Sequence, residues 1–242
     1  MRLVNLLLLF YITCIGQSAI AQYSTAADYE NEFTVGVNTN TNGGLISGFN
    51  IKYQRKKTKK KYDLYSLEIV NVRHEKEVRL TSANSSPFFV GKLNHLFAIR
   101  PSYGKELVLF NKYQENGVRI NLNLSGGPTL GLLKPYFIEY ITNTNTGTTE
   151  TVAYDPEVHD EISLIDGDAG MFYGMNQAKP KLGIHARTAL NFEYGPFPDM
   201  MLGLELGTTF EAFASEIILN QNMENRQLYP AMFLHLYYGY RF

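Results

Sequence analysis

The chain has no tryptophan, only one cysteine and almost no net charge, and each shortage excludes a class of protein. A single cysteine, Cys14, cannot build a disulfide framework or a cysteine-based zinc site. With 22 basic and 23 acidic residues, the chain lacks the basic excess that is usual in nucleic-acid-binding proteins. A bundle of transmembrane helices is also excluded, because the mean hydropathy is −0.18 and the apolar runs are shorter than the ~20 residues of a span.

The N-terminus has the pattern of a secretory signal peptide. Arg2 precedes a nearly continuous apolar stretch at residues 3–15, and Ala19 and Ala21 are the small residues that signal peptidase recognises. The apolar stretch is short for a membrane anchor. We therefore predict that residues 1–21 are a cleaved signal peptide and that residues 22–242 form a single exported domain without cysteine.

Most of the exported sequence alternates between apolar and polar residues, which is the pattern of a β-strand with one apolar face. In residues 118–125, the clearest case, every even-numbered residue is apolar and every odd-numbered residue is polar. The alternation predicts eight strands, at residues 32–38, 45–54, 62–74, 92–103, 118–125, 182–194, 202–212 and 228–242.

Three features favour a transmembrane barrel over a soluble β-sandwich. Many of the segments reach the ~9–11 residues that a tilted strand needs to cross a bilayer. Short turns alternate with long loops, as in outer-membrane barrels, although loop 39–43 is short. The turns are 55–61, 104–117 and 195–199, and the long loops are 75–91, 142–181 and 215–227. Aromatic residues collect at one level, as they do at membrane interfaces: Tyr53, Tyr62, Tyr65, Tyr103, Phe192, Tyr194, Tyr238, Tyr240 and Phe242.

The predicted fold is therefore all-β, an antiparallel transmembrane β-barrel with eight strands. A ten-stranded barrel is the alternative. It would form if residues 107–114 paired with the strand that begins at residue 118, through a hairpin turn at Glu115-Asn116-Gly117.

The last predicted strand carries a specific resemblance. Its alternating apolar residues and its aromatic residues Tyr238, Tyr240 and Phe242 resemble the C-terminal signal of Gram-negative outer-membrane β-barrels. Segments 66–69 with 71–74, and 125–128 with 134–136, are similar to small OmpX/OmpW-like barrels of Bacteroidota. The resemblance implies a location in the cell outer membrane, contact with its lipid, and recognition of the last strand by the barrel-insertion machinery. It implies no particular function.

The phase of the alternation predicts a polar barrel interior in which acidic and basic side chains balance. An eight-stranded barrel is just wide enough for side chains to fill it, and unpaired charges would be costly there. We therefore predict a lumen closed by ion pairs and hydrogen bonds. The predicted network comprises Glu32, Lys52, Glu68, Arg100, Arg119, His185, Arg187, Glu193, Glu205, Glu211, His235 and Arg241, with Asn121, Asn123 and Asn191 on the same face.

Two segments outside the predicted strands stand out by their charge. Loop 142–181 is long and acidic, so we expect it to fold over the barrel or to contact another protein. Its Asp166-Gly167-Asp168 segment lacks the other ligand positions of an EF-hand, so no metal site is predicted. The other segment is a basic turn made of Arg55, Lys56, Lys57, Lys59, Lys60 and Lys61. With the N-terminus inside, this turn faces the periplasm, either as a solvated turn or as a contact for anionic headgroups or an acidic partner.

No motif predicts an enzyme or a cofactor. A serine hydrolase needs a hydroxyl within reach of a histidine, and no histidine here has Ser or Thr two residues away, although such a pair could assemble between strands. We predict a non-enzymatic, structural or accessory role, as a subunit or partner of a larger outer-membrane or periplasmic complex for protein insertion, secretion or transport. A narrow channel and a lipid-modifying enzyme are the alternatives.

Overall fold

The computed structural model describes residues 30–74, 77–80, 86–111, 117–194, 199–221 and 224–242. The predicted signal peptide lies outside these residues. In the part of the chain that the structure describes, no helix is long and apolar enough to cross a membrane.

The described residues form thirteen strands and two short 3-10 helices, at Ile162–Leu164 and Met175–Gln177. In chain order the strands are β1 (Asn31–Asn40), β2 (Gly44–Thr58), β3 (Lys61–Val72), β4 (Arg79–Leu80), β5 (Phe88–Phe89), β6 (Asn94–Phe110), β7 (Val118–Pro135), β8 (Phe137–Asn143), β9 (Thr148–Ala153), β10 (Ile165–Asp168), β11 (Lys179–Tyr194), β12 (Met200–Ile217) and β13 (Arg226–Arg241).

Eight of these strands close into an antiparallel barrel in the order β1-β13-β12-β11-β7-β6-β3-β2. The last strand pairs with the first, in register from Glu32 opposite Arg241 to Asn40 opposite Phe233. The predicted fold of eight antiparallel strands is thereby confirmed. Below, the barrel end that holds Asn31 and Arg241 is called the terminal end, and the opposite end is called the loop end.

The ten-stranded alternative is wrong, and so is the predicted turn at residues 104–117. Strand β6 continues without a break to Phe110, and its pairing with β7 extends from Asn94 opposite Pro135 to Phe110 opposite Ile120. Gly104 suggested a turn in the sequence. In the barrel it lies where β6 approaches β7 so closely that a Cβ atom would overlap the backbone of Leu124 and Ser125.

The strands place apolar side chains outside the barrel and polar side chains inside it, the reverse of a water-soluble protein. On β11, the even-numbered residues Leu182 and Ile184 are 69% and 68% exposed. The odd-numbered residues face inward, and among them His185 and Glu193 are 6% and 1% exposed. An apolar exterior around a polar interior is the arrangement of a membrane-spanning barrel.

At the loop end, the interior changes from polar to apolar. Nine buried residues from the barrel strands and the segment after β12 form a cluster, which we call the plug: Val70, Val72, Leu96, Ala98, Leu133, Phe213, Ile217, Leu219 and Tyr229. Phe213 and Tyr229 pack edge to face in this cluster, with ring centroids 5.8 Å apart. The lumen is therefore filled by apolar packing above the polar network.

The long connection between β7 and β11 is folded rather than loose. Strands β10, β8 and β9 form a three-stranded sheet, called here the loop sheet. The connection thus occupies residues 136–178 rather than 142–181, and it begins with β8. Phe88, Tyr136, Ile138, Tyr154 and Ile165 form a second buried apolar cluster that joins the loop sheet to β5.

A buried ion pair holds the loop end together. Lys92 is 1% exposed, and its Nζ lies 2.8 Å from Glu77 Oε2 and 4.7 Å from the centre of the Phe89 ring. Burial lowers the pKa of Lys92, while the Glu77 carboxylate opposes that change. Burial also raises the pKa of Tyr136, whose hydroxyl oxygen accepts a hydrogen bond from the Phe89 amide at 3.1 Å.

Candidate functional site

The interior of the barrel holds most of the residues that the sequence singled out. Their alternate positions on neighbouring strands bring them to the same side of the sheet, and the predicted network residues have almost no solvent-exposed surface. They form two clusters, which we name after Glu68 and Arg119.

The Glu68 cluster lies closer to the plug. Arg100 forms a two-pronged pair with Glu211, at 2.8 Å from Nε to Oε1 and 2.7 Å from Nη2 to Oε2, and its Nη1 donates to Glu68 Oε2 at 3.0 Å. Arg187 Nη1 donates to the other Glu68 oxygen at 2.7 Å. Glu205 joins the cluster at 3.4 Å from Arg187 and pairs with Lys52. Every charged member is therefore within reach of an opposite charge.

The Arg119 cluster lies at the terminal end. Arg119 Nη1 is 3.0 Å from Glu32 and 3.5 Å from Glu193, and its guanidinium lies 4.8 Å from the centre of the Tyr62 ring. Arg241 bridges the same two carboxylates, at 2.9 Å from Glu32 and 2.5 Å from Glu193. Two cations and two anions thus close this end of the lumen.

Glu106 belongs to the Arg119 cluster and was missed in the sequence. It is fully buried, its Oε1 accepts a hydrogen bond from Asn121 Nδ2 at 2.8 Å, and it lies 3.4 Å from Arg119 Nη2. Gln54 Nε2 donates to its other oxygen at 2.5 Å. The signal was present, because Glu106 keeps the phase of Arg100, but the predicted turn at Gly104 concealed it.

His185 lies between two hydroxyl groups. Its Nε2 is 2.7 Å from Ser102 Oγ on β6, and its Nδ1 is 3.0 Å from Thr129 Oγ1 on β7. The sequence identified no Ser-His pair, because this one forms between strands. It does not form a triad of the hydrolase type, because the second ring nitrogen contacts a hydroxyl rather than a carboxylate. The histidine lies beside the Glu68 cluster, opposite Glu211 in the pairing of β11 with β12, and is 6% exposed.

The remaining predicted residues occupy separate places. His235 is fully buried, and its Nδ1 lies 3.7 Å from Glu205 Oε2, beyond hydrogen-bond length. In the described part of the chain, no group of three or more His, Cys, Asp or Glu residues could hold a metal ion.

The predicted aromatic level is only partly on the outer surface. Tyr53, Tyr65 and Tyr103 form an outward-facing ladder, with successive ring centroids 6.3 and 5.2 Å apart. Tyr62 instead points inward over Arg119 and is buried, because it has the opposite phase on β3. Of the predicted insertion-signal residues on the last strand, Tyr240 and Phe242 are 51% and 63% exposed. Tyr238 packs edge to face on Tyr240.

The basic turn is mostly strand. Arg55, Lys56 and Lys57 lie on β2, Lys61 begins β3, and only Lys59 and Lys60 form the turn. The longer pairing of β2 with β3 therefore extends the hairpin and spreads the charge along its sides. Among these residues, Lys57 lies 3.8 Å from Asp63 on β3, and the same carboxylate lies 2.9 Å from Lys105 on β6.

Gly203 provides a test of how tightly the lumen is packed. It faces inward opposite Tyr237, and a Cβ atom there would overlap the tyrosine ring. We expect Gly203→Ala to lower the free energy of unfolding by about 1–3 kcal/mol, because the Tyr237 ring is buried and its hydroxyl is held by a hydrogen bond to Asn191 Oδ1 at 2.7 Å. Urea titration in detergent, followed by the mobility shift between folded and unfolded barrel on unheated gels, measures it.

The second variant in this test is Tyr237→Leu. In the double variant, the shorter side chain makes room for the new Cβ, so the loss should be smaller than the sum of the two single losses. Additive losses would show that Tyr237 and residue 203 do not compete for space.

Comparison with known proteins gives distant likenesses only. No protein-family model matches the chain, and no curated protein sequence does. One similar solved structure is that of Ail, the attachment invasion locus protein of Yersinia pestis, in complex with the heparin analogue sucrose octasulfate. The two sequences are 12% identical, the match covers 89% of this chain and 99% of that chain, and the TM-score is 0.37. Neisserial surface protein A is 9% identical, with coverage of 88% and 97% and a TM-score of 0.40. The assignment of the fold therefore rests on the strand pairing of this chain.

Proposed function

We propose that the chain is a non-enzymatic β-barrel of the outer membrane that acts as a structural or accessory subunit of a larger assembly. The apolar exterior supports insertion into a membrane, since Leu182, Phe210 and Leu236 are 69%, 61% and 50% exposed on the outer face of the barrel. The outer membrane is the membrane that accommodates closed antiparallel barrels in Gram-negative cells. The resemblance of the last strand to an insertion signal agrees with this location.

The filled lumen is the observation that carries the proposal. A channel needs a continuous water path, whereas the Arg119 cluster, the Glu68 cluster and the plug fill successive levels of this interior. Buried charges of both signs in direct contact favour a static network over an ion path. A closed, non-enzymatic barrel of this kind would act through its outer surfaces.

The loop end offers one such surface. Phe172 and Tyr173 are 73% and 50% exposed, although both rings also pack on the protein, on Phe97 and Phe137 respectively. Lys134 Nζ donates to the carbonyl oxygen of Tyr173 at 2.6 Å and fixes the backbone there. Aromatic side chains held in place but exposed are typical anchors of protein interfaces. We infer that a partner binds here.

The terminal end offers a second surface, the basic hairpin at residues 55–61. Lys57 is largely exposed, as are Arg55, Lys59, Lys60 and Lys61, while Lys56 is half-buried. Such a cluster suits an acidic periplasmic partner or anionic headgroups. The same surface would face outward if the barrel were inserted in the opposite direction.

Extraction from native outer membranes in mild detergent, followed by affinity purification and mass spectrometry, tests this proposal. We expect particular outer-membrane or periplasmic proteins to co-purify in stoichiometric amount. The double variant Phe172→Ser and Tyr173→Ser should lose the partner of the loop end, because both anchors are removed while the barrel is untouched.

Val158→Ser is the matched control, since Val158 is 67% exposed in the same connection between β7 and β11 but is not one of the two aromatic anchors. It should retain the partner. Recovery of the barrel alone from wild-type membranes would refute the accessory role. Conductance steps of the wild-type barrel in a planar bilayer would favour the narrow channel instead.

A further inference from the structure

The barrel wall has a gap at the loop end, above the short hairpin of β1 and β2. Strand β1 stops at Asn40, whereas its neighbour β13 continues to Arg226 on one side. The hairpin turn is tied across the base of the gap, because Asn42 Nδ2 donates to the carbonyl oxygen of Pro230 at 3.0 Å and the Arg73 amide donates to the carbonyl oxygen of Asn42 at 2.5 Å. We call this gap the notch.

The notch is a shallow depression of about 20 Å³, partly open to solvent, whose polar lining is basic or neutral. The lining residues are Asn42, Arg73, His74, Arg226, Leu228, Tyr229 and Pro230. Neither Arg73 nor Arg226 forms an ion pair with a described carboxylate, whereas the arginines of the lumen are all paired. The notch therefore lies beside two arginine residues without a described carboxylate partner. The guanidinium of Arg73 lies 6.0 Å from the centre of the Phe89 ring.

An apolar groove continues from the notch down the outer wall of the barrel. It has a volume of about 170 Å³ and shares Pro230 with the notch. Its other lining residues are Thr41, Thr208, Thr209, Phe210, Ala231 and Met232. Phe210 and Met232 are 61% and 66% exposed on the face that is directed away from the lumen. Pro230 has no amide hydrogen, so it cannot donate a backbone hydrogen bond to a neighbouring strand of the barrel wall.

We propose that the notch binds the phosphate group of a membrane lipid and that an acyl chain of the same lipid lies in the groove. This inference rests on the proposed location in a membrane. Guanidinium groups match phosphate oxygens in geometry and charge, and they are weakly hydrated, so they pair with phosphate more readily than lysine does. The groove adds the apolar surface that a free phosphate ion could not use.

The position of the site agrees with this ligand. Arg73 and Arg226 lie at the loop end of the barrel, beyond the apolar side chains of the outer wall, which is the level at which lipid headgroups meet the protein. Leu228, just below Arg226 on β13, is 65% exposed on the same outer face as Met232. The arginine residues lie nearer the loop end and the apolar side chains nearer the middle of the barrel. A phosphorylated lipid has its phosphate and its acyl chains in the same order.

Binding of lipid A, a phosphorylated and acylated glycolipid, to the barrel purified in neutral detergent tests the proposal. Native mass spectrometry would follow the bound lipid, with the dephosphorylated glycolipid and inorganic phosphate as the other two probes. We expect lipid A to bind about ten- to a hundredfold more tightly than its dephosphorylated form, from the charge-assisted hydrogen bonds alone. Inorganic phosphate should not displace it.

The double variant Arg73→Gln and Arg226→Gln should lose this preference, and Met232→Asp should weaken binding of both lipids. The matched control for the single variant Arg226→Gln is Arg79→Gln, which removes the same charge at an exposed position outside the cavity and should bind like the wild type. The single variant Arg226→Gln changes only an exposed residue, so its folding should be unaffected and its preference for lipid A should still fall. The mobility of each variant on unheated gels verifies that the barrel is folded.

Three outcomes would overturn the proposal: equal binding of the two glycolipids, unchanged binding by both the double variant and Arg226→Gln, or displacement by inorganic phosphate at equal concentration. These measurements use the barrel alone. A failure of the accessory role, in which no partner co-purifies, would therefore be distinguished from a failure of lipid binding.

Discussion

Replacing Glu68 by alanine is expected to lower the free energy of unfolding of the barrel by about 3–5 kcal/mol, because it removes the carboxylate that two buried arginine side chains share. Glu68 is 2% exposed and accepts hydrogen bonds from Arg100 at 3.0 Å and Arg187 at 2.7 Å. Arg100 keeps Glu211, but Arg187 keeps only the 3.4 Å contact with Glu205. Urea titration of the barrel in detergent, read on unheated gels, gives the loss.

Two further variants make this result specific to the buried charge. Glu68→Gln retains an acceptor of similar shape, so it should lose less than Glu68→Ala. Glu150→Ala removes a carboxylate from an exposed position on β9 and should change the free energy of unfolding by less than about 0.5 kcal/mol. Equal losses for Glu68→Ala and Glu150→Ala would show that the Glu68 cluster does not stabilise the barrel.

Replacing Arg119 by alanine is expected to have an effect at least as large, about 3–5 kcal/mol, because three buried carboxylates depend on it. Glu32, Glu193 and Glu106 lie 3.0, 3.5 and 3.4 Å from its guanidinium. Arg241 continues to serve Glu32 and Glu193, so Glu106 should be left with amide donors only. The same titration measures the change.

Glu106→Gln in the Arg119→Ala background is the informative second step. If the orphaned Glu106 carboxylate causes part of the loss, the double variant should be more stable than Arg119→Ala alone. A double variant that is less stable would assign the loss to missing packing of the arginine side chain, which also lies over Tyr62.

The barrel itself was predictable because one physical rule acts along every strand. The strict alternation at residues 118–125 predicts that Arg119, Asn121 and Asn123 share a face, and in the structure all three are buried in the lumen. Lipid outside and a narrow polar interior impose this period on each strand separately. Strand number and closure follow from counting such segments.

Features that depend on contacts between distant segments were not predictable in this way. Ser102 and His185 are 83 positions apart and meet only because β6, β7 and β11 lie side by side. The plug breaks the alternation, since Val70, Asn71 and Val72 are all buried at the loop end, where the wall is covered on both sides. The strands of the loop sheet pair with one another and not with the barrel wall. Their residues therefore do not alternate between a lipid-facing side and a lumen-facing side.

The unequal lengths of the strands give the barrel a slanted upper edge. Strand β1 has 10 residues, whereas β7 and β12 each have 18. At ~3.3 Å per residue and a tilt of ~40°, these lengths correspond to heights of about 25 Å and about 45 Å. The high side therefore rises about 20 Å above the low side and supports the loop sheet. A protein bound at the high side and a molecule bound at the low side would therefore lie at different heights along the barrel axis. The barrel could bind both at the same time.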